Sequence, residues 1–244
     1  MSEKITLSGV PETMLQTTHA RAKESRTRGA IHDEKAVQLI ERLDYDFTLA
    51  DTDAAMHSGV IARTIVLDRL TTQYLTQHPG AVVVNIACGL DTRCYRMTGY
   101  SHWYNLDLPE TIAVRAKLLP EEGSISQIAL SAMEDWGRFI QERNVPVLVI
   151  IEGLTMYLSE ADVQRIFAVI ASNFKQAEVF VETMNPAMAK HFGEALQGKI
   201  HRGQQGEVHM GHPKRKGARR AAAGVPVRGG PRPDRGHGRG CAGL

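Results

Sequence analysis

Short apolar runs that alternate with helical stretches are the feature that most constrains this fold. The clearest run is Ala-Val-Val-Val-Asn-Ile at residues 81–86, and its lack of polar alternation is typical of a strand covered on both faces. Strands separated by helices of about 10–15 residues indicate a parallel sheet with helices on both faces. The sequence therefore predicts a doubly wound α/β fold. The other predicted strands are 101–106, 126–130, 147–151 and 177–183, and the helices between strands are 109–119, 134–143 and 159–174.

The residues before the first strand are predicted to be helical. Apolar residues recur at three- and four-residue steps over residues 12–50 and again over 57–77, where a His-Pro-Gly sequence ends the second helix. We therefore expect a helical N-terminal cap over residues 1–80 and an α/β core over residues 81–197.

Residues 198–244 differ in composition from the rest of the chain. They carry a net charge of +9, 12 of the 22 glycines and no Phe, Trp or Tyr, whereas residues 1–197 carry a net charge of −7. Such a segment buries too little apolar surface to offset its ordering entropy. We expect a disordered, basic Gly/Arg-rich tail that follows an acidic globular protein.

Composition also predicts the cellular compartment, the absence of a membrane span and the absence of a metal site. The chain has no run of about 18 apolar residues, so no membrane span is expected. Its first residues show no signal-peptide pattern. The three cysteines, Cys88, Cys94 and Cys241, are too few and too scattered for a disulfide framework or a zinc site. A cytoplasmic protein without a bound metal or a membrane partner is therefore expected.

The predicted strand ends carry the candidate chemistry, because ligands of such sheets bind at the carboxyl ends of the strands. The first strand leads into Ala87-Cys88-Gly89, whose small residues allow backbone N–H groups to approach a ligand, or simply form a tight turn. Asp107 follows the second strand, 18 residues beyond Gly89. It is placed either to accept both hydroxyls of a ribose or to cap the next helix.

Glu152 follows the fourth, fully apolar strand. An unpaired buried carboxylate is costly, so Glu152 must either find a donor or face a site. We favour the site, because this strand is central in the predicted sheet.

Together these elements resemble the S-adenosylmethionine-dependent methyltransferases of the leucine carboxyl methyltransferase family. Within that family the chain is most similar to the O-methyltransferases of tetracenomycin polyketide synthesis. The most specific segments are Gly-Leu-Asp-Thr-Arg at residues 89–93 and Glu-Gly-Leu-Thr-Met-Tyr-Leu at residues 152–158. The resemblance implies a mostly parallel, Rossmann-like methyltransferase sheet and S-adenosylmethionine as the cofactor. The other matching segments are 12–15, 21–25, 33, 43–47, 62–64, 83–88, 106–109 and 131–136.

The resemblance also implies roles for residues near the methionine part of the cofactor. Arg63 would bind the cofactor's carboxylate with its guanidinium, and Arg21 would contribute to the same end. Without the resemblance, Arg63 is an ordinary surface arginine of a helix. Gly89 would cradle the methionine part, and Ala87 would crowd it slightly, because the family usually has glycine there. Glu152 would lie close to the sulfonium, whose positive charge a carboxylate favours.

Further roles concern the nucleoside and the acceptor. The resemblance implies that Asp107 binds the ribose hydroxyls and that Ser131 and Ala132 border the adenine. Tyr157 would line the acceptor pocket, although a core tyrosine bonded to the backbone is an equally good interpretation. No catalytic residue is assigned.

The implied reaction is methyl transfer to an oxygen of a small molecule. A carboxylate acceptor is already anionic at neutral pH and needs no base, whereas a phenol needs one. No His/Asp pair in the globular part stands out as that base; His19, His32, His57 and His78 are interpreted as helix or cap residues. This favours a carboxylate or another acidic oxygen as acceptor.

The tail departs from the family, and a reading-frame shift accounts for the departure. Residues 209–220 can be back-translated with codons that the genetic code permits. Reading that DNA one base along gives Ile-Trp-Gly-Ile-Arg-Ser-Gly-Lys-Glu-Leu-Ala, close to the family's W-G-x-x-x-G-x-E-L motif. We therefore expect that residues 198–244 are a frame-shifted C-terminus. The last edge strands of the family fold would then be missing, and the chain would be poorly soluble and weakly active.

Two other classes of function compete with a methyltransferase. The basic residues 214–216 and 219–220 suggest a nucleic-acid binder, but no aromatic residue interleaves them, so no specific nucleic-acid partner is expected. A nicotinamide-dependent oxidoreductase shares the sheet topology but needs the G-x-G-x-x-G pattern, which the chain lacks after its first strand.

Overall fold

The computed structural model describes residues 12–142 and 144–184, and all of them lie in the first of the chain's two compact units, Met1–Lys214 and Arg215–Leu244. The predicted boundary at residues 197–198, the basic tail and its frame-shifted interpretation lie outside the described residues. The described helices are α1 (Glu12–Arg26), α2 (Glu34–Arg42), α3 (Thr48–Thr52), α4 (Ala54–Gln77), α5 (Arg93–Arg96), α6 (Pro109–Leu118) and α7 (Glu160–Asn173). The strands are β1 (Ala81–Ile86), β2 (Tyr100–Asp107), β3 (Ile125–Ala129), β4 (Val147–Ile151) and β5 (Ala177–Val181).

These five strands form one sheet in the order β3-β2-β1-β4-β5, and every neighbouring pair is parallel. The strand order reverses between β1 and β4, since the chain proceeds outward to β3 and then returns to the other side of β1. This is the switch point at which open α/β sheets bind ligands. The predicted doubly wound fold is confirmed, and all five predicted strands are present.

Both faces of the sheet are covered, as the apolar strands required. Val82, Val84 and Ile86 of β1 pack with residues of α7 such as Ile166 on one face. Val83 packs with Tyr74 of α4 on the other face. Every residue of β1 and β4 is buried. The alternating side chains of a central strand therefore contribute to two separate apolar layers.

The prediction of one helical stretch over residues 12–50 is wrong, because the structure divides it into three helices. Gly29 adopts a left-handed φ of 69° after α1, a conformation that glycine adopts without strain. Asp33 then begins α2 by accepting a hydrogen bond from the Ala36 N–H at 3.0 Å. Asp53 begins α4 in the same way, with the Met56 N–H at 2.8 Å.

The predicted helix over residues 134–143 is also wrong. Only a short 3-10 helix, Trp136–Phe139, is described there. Trp136 is fully buried, and its indole N–H donates to the Ala132 carbonyl at 3.1 Å. Anchoring this large side chain in the core fixes a tight turn instead of a regular helix. Among the described helices, none combines the length and apolar character needed to cross a bilayer.

Candidate active site at the strand ends

The sheet register places four candidate positions side by side. Ile86 of β1 is paired with Leu106 of β2 and with Ile151 of β4, and Ile151 is paired with Val181 of β5. The residues that end or directly follow these strands are therefore neighbours at one edge of the sheet; they are Ala87, Asp107, Glu152 and Glu182. Sequence reasoning named the first three of these and missed Glu182.

The loop after β1 has an unusual backbone. Ala87 has φ 53° and Gly89 has φ 46°, both in the left-handed region. For alanine this conformation costs about 1–2 kcal/mol, whereas for glycine it costs little. A Cβ at Gly89 would stand 3.1 Å from the Met14 side chain. Gly89 therefore allows both the turn of the loop and the close approach of α1.

Asp107 is bonded to this loop. Its Oδ2 accepts a hydrogen bond from the Gly89 N–H at 2.8 Å, and its Oδ1 accepts one from the Leu108 N–H at 2.8 Å. Burial raises the pKa of the Asp107 carboxyl, although the bonds from Gly89 and Leu108 act in the opposite direction. Leu108, and not Asp107, is the N-cap residue of α6. The alternative that Asp107 caps this helix is therefore wrong.

Glu152 lies between two arginines. Its Oε1 is 2.8 Å from Arg63 Nε of α4, and its Oε2 accepts a hydrogen bond from Arg93 Nη2 at 2.9 Å. Arg63 Nε is buried and makes no aligned hydrogen bond among the described residues, so its contact with Glu152 is an ion pair only. Glu152 has therefore found donors and also stands at the edge where ligands bind.

Glu182 completes this group from the end of β5. Its Oε1 lies 3.4 Å from Arg63 Nη1, and its Oε2 accepts a hydrogen bond from the Gly153 N–H at 2.8 Å. The side chain of Arg63, which is 27% exposed, thus lies between carboxylates of two adjacent strand ends. Arg63 is not an ordinary surface arginine. Glu182 has no sequence signal of its own, because nothing in the local pattern shows that β5 lies beside β4.

Buried arginines also bind the backbone of the loop after β1. Arg21 donates from Nε to Asp33 Oδ2 at 3.1 Å and from Nη2 to the Leu90 carbonyl at 3.1 Å. Arg115 donates to the Gly89 carbonyl at 2.8 Å. Arg21 and Arg63 thus bind different partners, and the structure does not bring them together. A role for Arg21 at the cofactor's carboxylate stays a prediction.

The loop after β3 lies next to Asp107. The Leu130 N–H donates to the Asp107 carbonyl at 2.9 Å, and the Ser131 N–H donates to Glu134 Oε1 at 3.2 Å. The Ala132 carbonyl accepts the indole N–H of Trp136. Ser131 and Ala132 are therefore held beside the β2 end, on the opposite side of Asp107 from Gly89.

Tyr157 lies in a short 3-10 helix, Thr155–Tyr157, that follows β4. This residue is 45% exposed, which does not fit a core tyrosine. Partial burial raises its pKa, with a smaller opposing effect from Arg63 and a further raising effect from Glu182. The charges of Arg63 and Glu182 therefore act on the Tyr157 hydroxyl.

Two of the histidines interpreted as helix or cap residues each lie beside an acid. His19 Nε2 lies 3.0 Å from Asp51 Oδ1, and His57 Nε2 lies 3.0 Å from Glu24 Oε2. The partners are 32 and 33 residues apart in sequence, so periodicity within one helix does not reveal them. Both pairs belong to the helical region before β1. Among residues 12–142 and 144–184, no group of three His, Cys, Asp or Glu side chains is arranged for a metal ion.

Comparisons with known proteins give the family of this chain. The family model for leucine carboxyl methyltransferase matches residues 14–171, more than half of the chain. The tetracenomycin polyketide synthesis O-methyltransferase TcmP of Streptomyces glaucescens is 37% identical over 190 residues, which are 76% of this chain and 70% of that protein. The S-adenosyl-L-methionine-dependent methyltransferase dpfgK of Gibberella zeae is 31% identical over 196 residues, 72% of this chain and 65% of that protein.

A solved S-adenosylmethionine-dependent methyltransferase from Anabaena variabilis is similar at 12% identity with a TM-score of 0.44, covering 80% of this chain and 72% of that chain. This likeness is too weak to carry an argument. The family match excludes the predicted alternative of a nicotinamide-dependent oxidoreductase, and it confirms S-adenosylmethionine as the cofactor. The chain belongs to the leucine carboxyl methyltransferase family of S-adenosylmethionine-dependent methyltransferases.

Proposed function

We propose that this chain methylates an oxygen of a small molecule, a carboxylate or an acidic hydroxyl, and that the strand-end residues described above bind the cofactor. The observation that carries the proposal is the convergence of Gly89, Asp107 and Glu152 with Arg63 at the switch point of the sheet. TcmP, with which the chain shares 37% identity, is named as an O-methyltransferase.

The residues present suit the chemical groups of S-adenosylmethionine. Asp107 has a partly exposed carboxylate whose oxygens can accept hydrogen bonds from ribose hydroxyls in addition to the two backbone bonds it holds. The Arg63 side chain is 27% exposed, and its guanidinium has more N–H groups than the two that face Glu152 and Glu182, which suits a carboxylate ligand. Ser131 and Ala132 would border the adenine, held in place beside Asp107 by the Ser131 N–H bond to Glu134 and the Trp136 indole bond to the Ala132 carbonyl.

The methionine part would lie along the β1 loop, between Gly89 and Arg63. Ala87, at a position where the resemblance implies that the family usually has glycine, would add one methyl group beside the methionine part. Glu152 would place negative charge near the sulfonium. Arg21 would act on this end through the Leu90 carbonyl, and Tyr157 would line the acceptor side next to Arg63 and Glu182.

When bound, S-adenosylmethionine supplies an electrophilic methyl group. A C–O bond to the acceptor forms while the C–S bond breaks. The electron pair of the C–S bond stays on sulfur, which leaves S-adenosylhomocysteine. A carboxylate acceptor becomes a neutral ester and releases no proton, so the chain's residues need only to align the reactants and exclude water. A hydroxyl acceptor must also give up its proton to a base. The carboxylate is therefore the simpler acceptor for this site.

The test is transfer of label from S-adenosyl[methyl-³H]methionine to a panel of aromatic carboxylic acids, each paired with its methyl ester and with the corresponding phenol. Label in the acids and none in their esters supports carboxyl methylation. Label in the phenols alone supports hydroxyl methylation. Binding of NAD in place of S-adenosylhomocysteine in a calorimetric titration would contradict the whole proposal.

The proposal includes reduced activity of the chain as it stands. The cofactor residues named above all precede residue 198. We expect S-adenosylhomocysteine to bind while turnover stays low. The test replaces residues 198–244 by the sequence that the coding DNA gives when it is read one base along. A large rise in turnover supports this part of the proposal, and equal turnover of the two chains contradicts it.

A further inference from the structure

Arg93, the last residue of the Gly-Leu-Asp-Thr-Arg segment, lies at the centre of three carboxylates. Its side chain is 1% exposed. Nε donates to Asp68 Oδ1 at 2.7 Å, Nη1 donates to Asp91 Oδ2 at 3.0 Å, and Nη2 donates to Glu152 Oε2 at 2.9 Å. The three acids belong to α4, to the loop after β1 and to the end of β4. One guanidinium therefore joins three elements that meet at the cofactor edge.

The guanidinium of Arg93 stays positively charged. Burial alone would lower the pKa of Arg93, but Asp91, Glu152 and Asp68 outweigh it and raise the pKa. A planar guanidinium can also direct its separate N–H groups at three acids, which the single ammonium of lysine cannot do. The contacts of Arg93 thus fix positions as well as balancing charge.

Glu152 depends on Arg93 for one of its two oxygens. Among the described residues, Oε1 has only the unaligned ion pair with Arg63, whereas Oε2 has the aligned hydrogen bond from Arg93. Arg63 is also the residue that a cofactor's carboxylate would engage. Its hold on Glu152 would therefore change when ligand binds, but the hold of the buried Arg93 would not.

We propose that Arg93 is a positioning residue that keeps the Glu152 carboxylate facing the sulfonium, so that this charge raises the affinity for S-adenosylmethionine relative to that for S-adenosylhomocysteine. The inference rests on the proposed function, because it assumes that the cofactor lies at this edge. The two ligands differ by one methyl group and one positive charge. Their ratio of affinities therefore reports the charge that the site presents to sulfur.

The experiment measures Kd for both ligands by calorimetry on the full chain and on Arg93→Lys, Glu152→Gln and the double variant. Arg93→Lys keeps the charge and loses the directed contacts. We expect it to reduce the affinity for S-adenosylmethionine relative to that for S-adenosylhomocysteine by about threefold to tenfold, as for one charge contact in a partly screened site. In the Glu152→Gln background the same substitution should leave the ratio unchanged, because Arg93 then has no carboxylate to position.

Arg96→Lys is the matched control. The Arg96 side chain is 14% exposed and also binds Asp68, with Nε to Oδ2 at 2.8 Å, but among the described residues it makes no contact with Glu152. It should lower the free energy of unfolding and leave the affinity ratio unchanged. If Arg93→Lys does not fold, Asp68→Asn decides, because it releases one anchor of Arg93; a reduced relative affinity is expected there as well.

Three outcomes overturn the inference. An unchanged ratio in Arg93→Lys or, where that variant does not fold, in Asp68→Asn would show that Arg93 serves only the stability of the fold. An equal reduction with and without the Glu152 carboxylate would show that Arg93 does not act through it. An unchanged ratio in Glu152→Gln would remove the role of that carboxylate. A wild-type chain that binds neither ligand instead contradicts the proposed function itself.

Discussion

Asp107 and Gly89 are joined by a hydrogen bond of 2.8 Å from the Gly89 N–H to Asp107 Oδ2. The bond connects the ends of two adjacent parallel strands, β1 and β2. It also places a partly buried carboxylate against the loop in which Gly89 adopts a left-handed φ. The site is therefore already ordered by the chain's own contacts, and ligand binding need not assemble it.

The carboxylate of Asp107 should make cofactor binding dependent on pH. Its pKa is raised by burial, so its neutral form persists to higher pH than for an ordinary Asp. Ribose hydroxyls donate to the ionised form, so affinity for S-adenosylhomocysteine should fall as pH drops through the raised pKa and level off above it. Calorimetric titrations across pH 4–8 would measure this, with pH values spaced about one unit apart.

Asp107→Asn is the matched variant for this dependence. We expect it to bind S-adenosylhomocysteine roughly tenfold to a hundredfold more weakly at neutral pH, since it loses charge-assisted hydrogen bonds. The fall at low pH should also disappear in this variant. The same pH profile in Asp107→Asn would assign the titration to another group.

Arg63 should recognise the amino-acid part of the cofactor and not its nucleoside. Arg63→Gln is expected to weaken S-adenosylhomocysteine by about tenfold or more, because a charged bidentate contact is lost. It should leave 5′-methylthioadenosine, which lacks the carboxylate, close to its wild-type Kd. Paired titrations of the two ligands measure the difference, and an equal loss for both would argue against this assignment.

Ala87 stores backbone strain that glycine would relieve. The φ of 53° costs alanine about 1–2 kcal/mol, and the extra freedom of glycine in the unfolded chain offsets about 0.4–1 kcal/mol of the gain. Ala87→Gly should therefore raise the free energy of unfolding slightly and tighten S-adenosylhomocysteine binding. Ala87→Val, with a β-branched side chain, should lower stability. Urea denaturation compares the two variants; a less stable glycine variant would refute the strain.

Asp91 should be important for stability at neutral pH. Burial would raise the pKa of its carboxyl, but Arg93, Arg96, Arg21 and Arg115 together lower it. Its contribution is present above the ordinary Asp pKa of about 4 and is lost as pH falls through the lower folded value. Asp91→Asn should cost about 3–5 kcal/mol at pH 7, as for a broken buried ion pair.

The control for this variant is Asp53→Asn at the start of α4, because asparagine caps a helix as well as aspartate does. It should leave the urea midpoint nearly unchanged. The difference in stability between wild type and Asp91→Asn should become smaller in acid. A difference of under about 1 kcal/mol at pH 7 would mean that the four arginines do not depend on Asp91.

Local patterns were sufficient for the sheet and for part of the site. The buried strands have continuous apolar sequences, and parallel topology brings their carboxyl ends together, so the sequence predicts that Gly89, Asp107 and Glu152 lie near one another. Local patterns do not predict the division of residues 12–50 into three helices. The end of α1 and the start of α2 depend on contacts such as the hydrogen bond from the Asp33 N–H to the Ser25 hydroxyl. Such contacts depend on how the helices fold back.

The charge network was also beyond local reasoning. Arg93 meets Asp68 and Glu152, which lie 25 and 59 residues away in sequence. Glu182 meets Arg63 across 119 residues. A charged residue at a strand end predicts a partner but does not identify it, because only the packing of α4 over the strand ends brings these groups within reach.

The most direct test of the account is a crystal structure of the chain with S-adenosylhomocysteine. We expect the ribose hydroxyls within hydrogen-bond distance of the Asp107 carboxylate, the amino-acid carboxylate at Arg63, and the sulfur on the Glu152 side of the β1 loop. A ligand bound elsewhere, or bound at this edge with its ribose away from Asp107, would contradict the site.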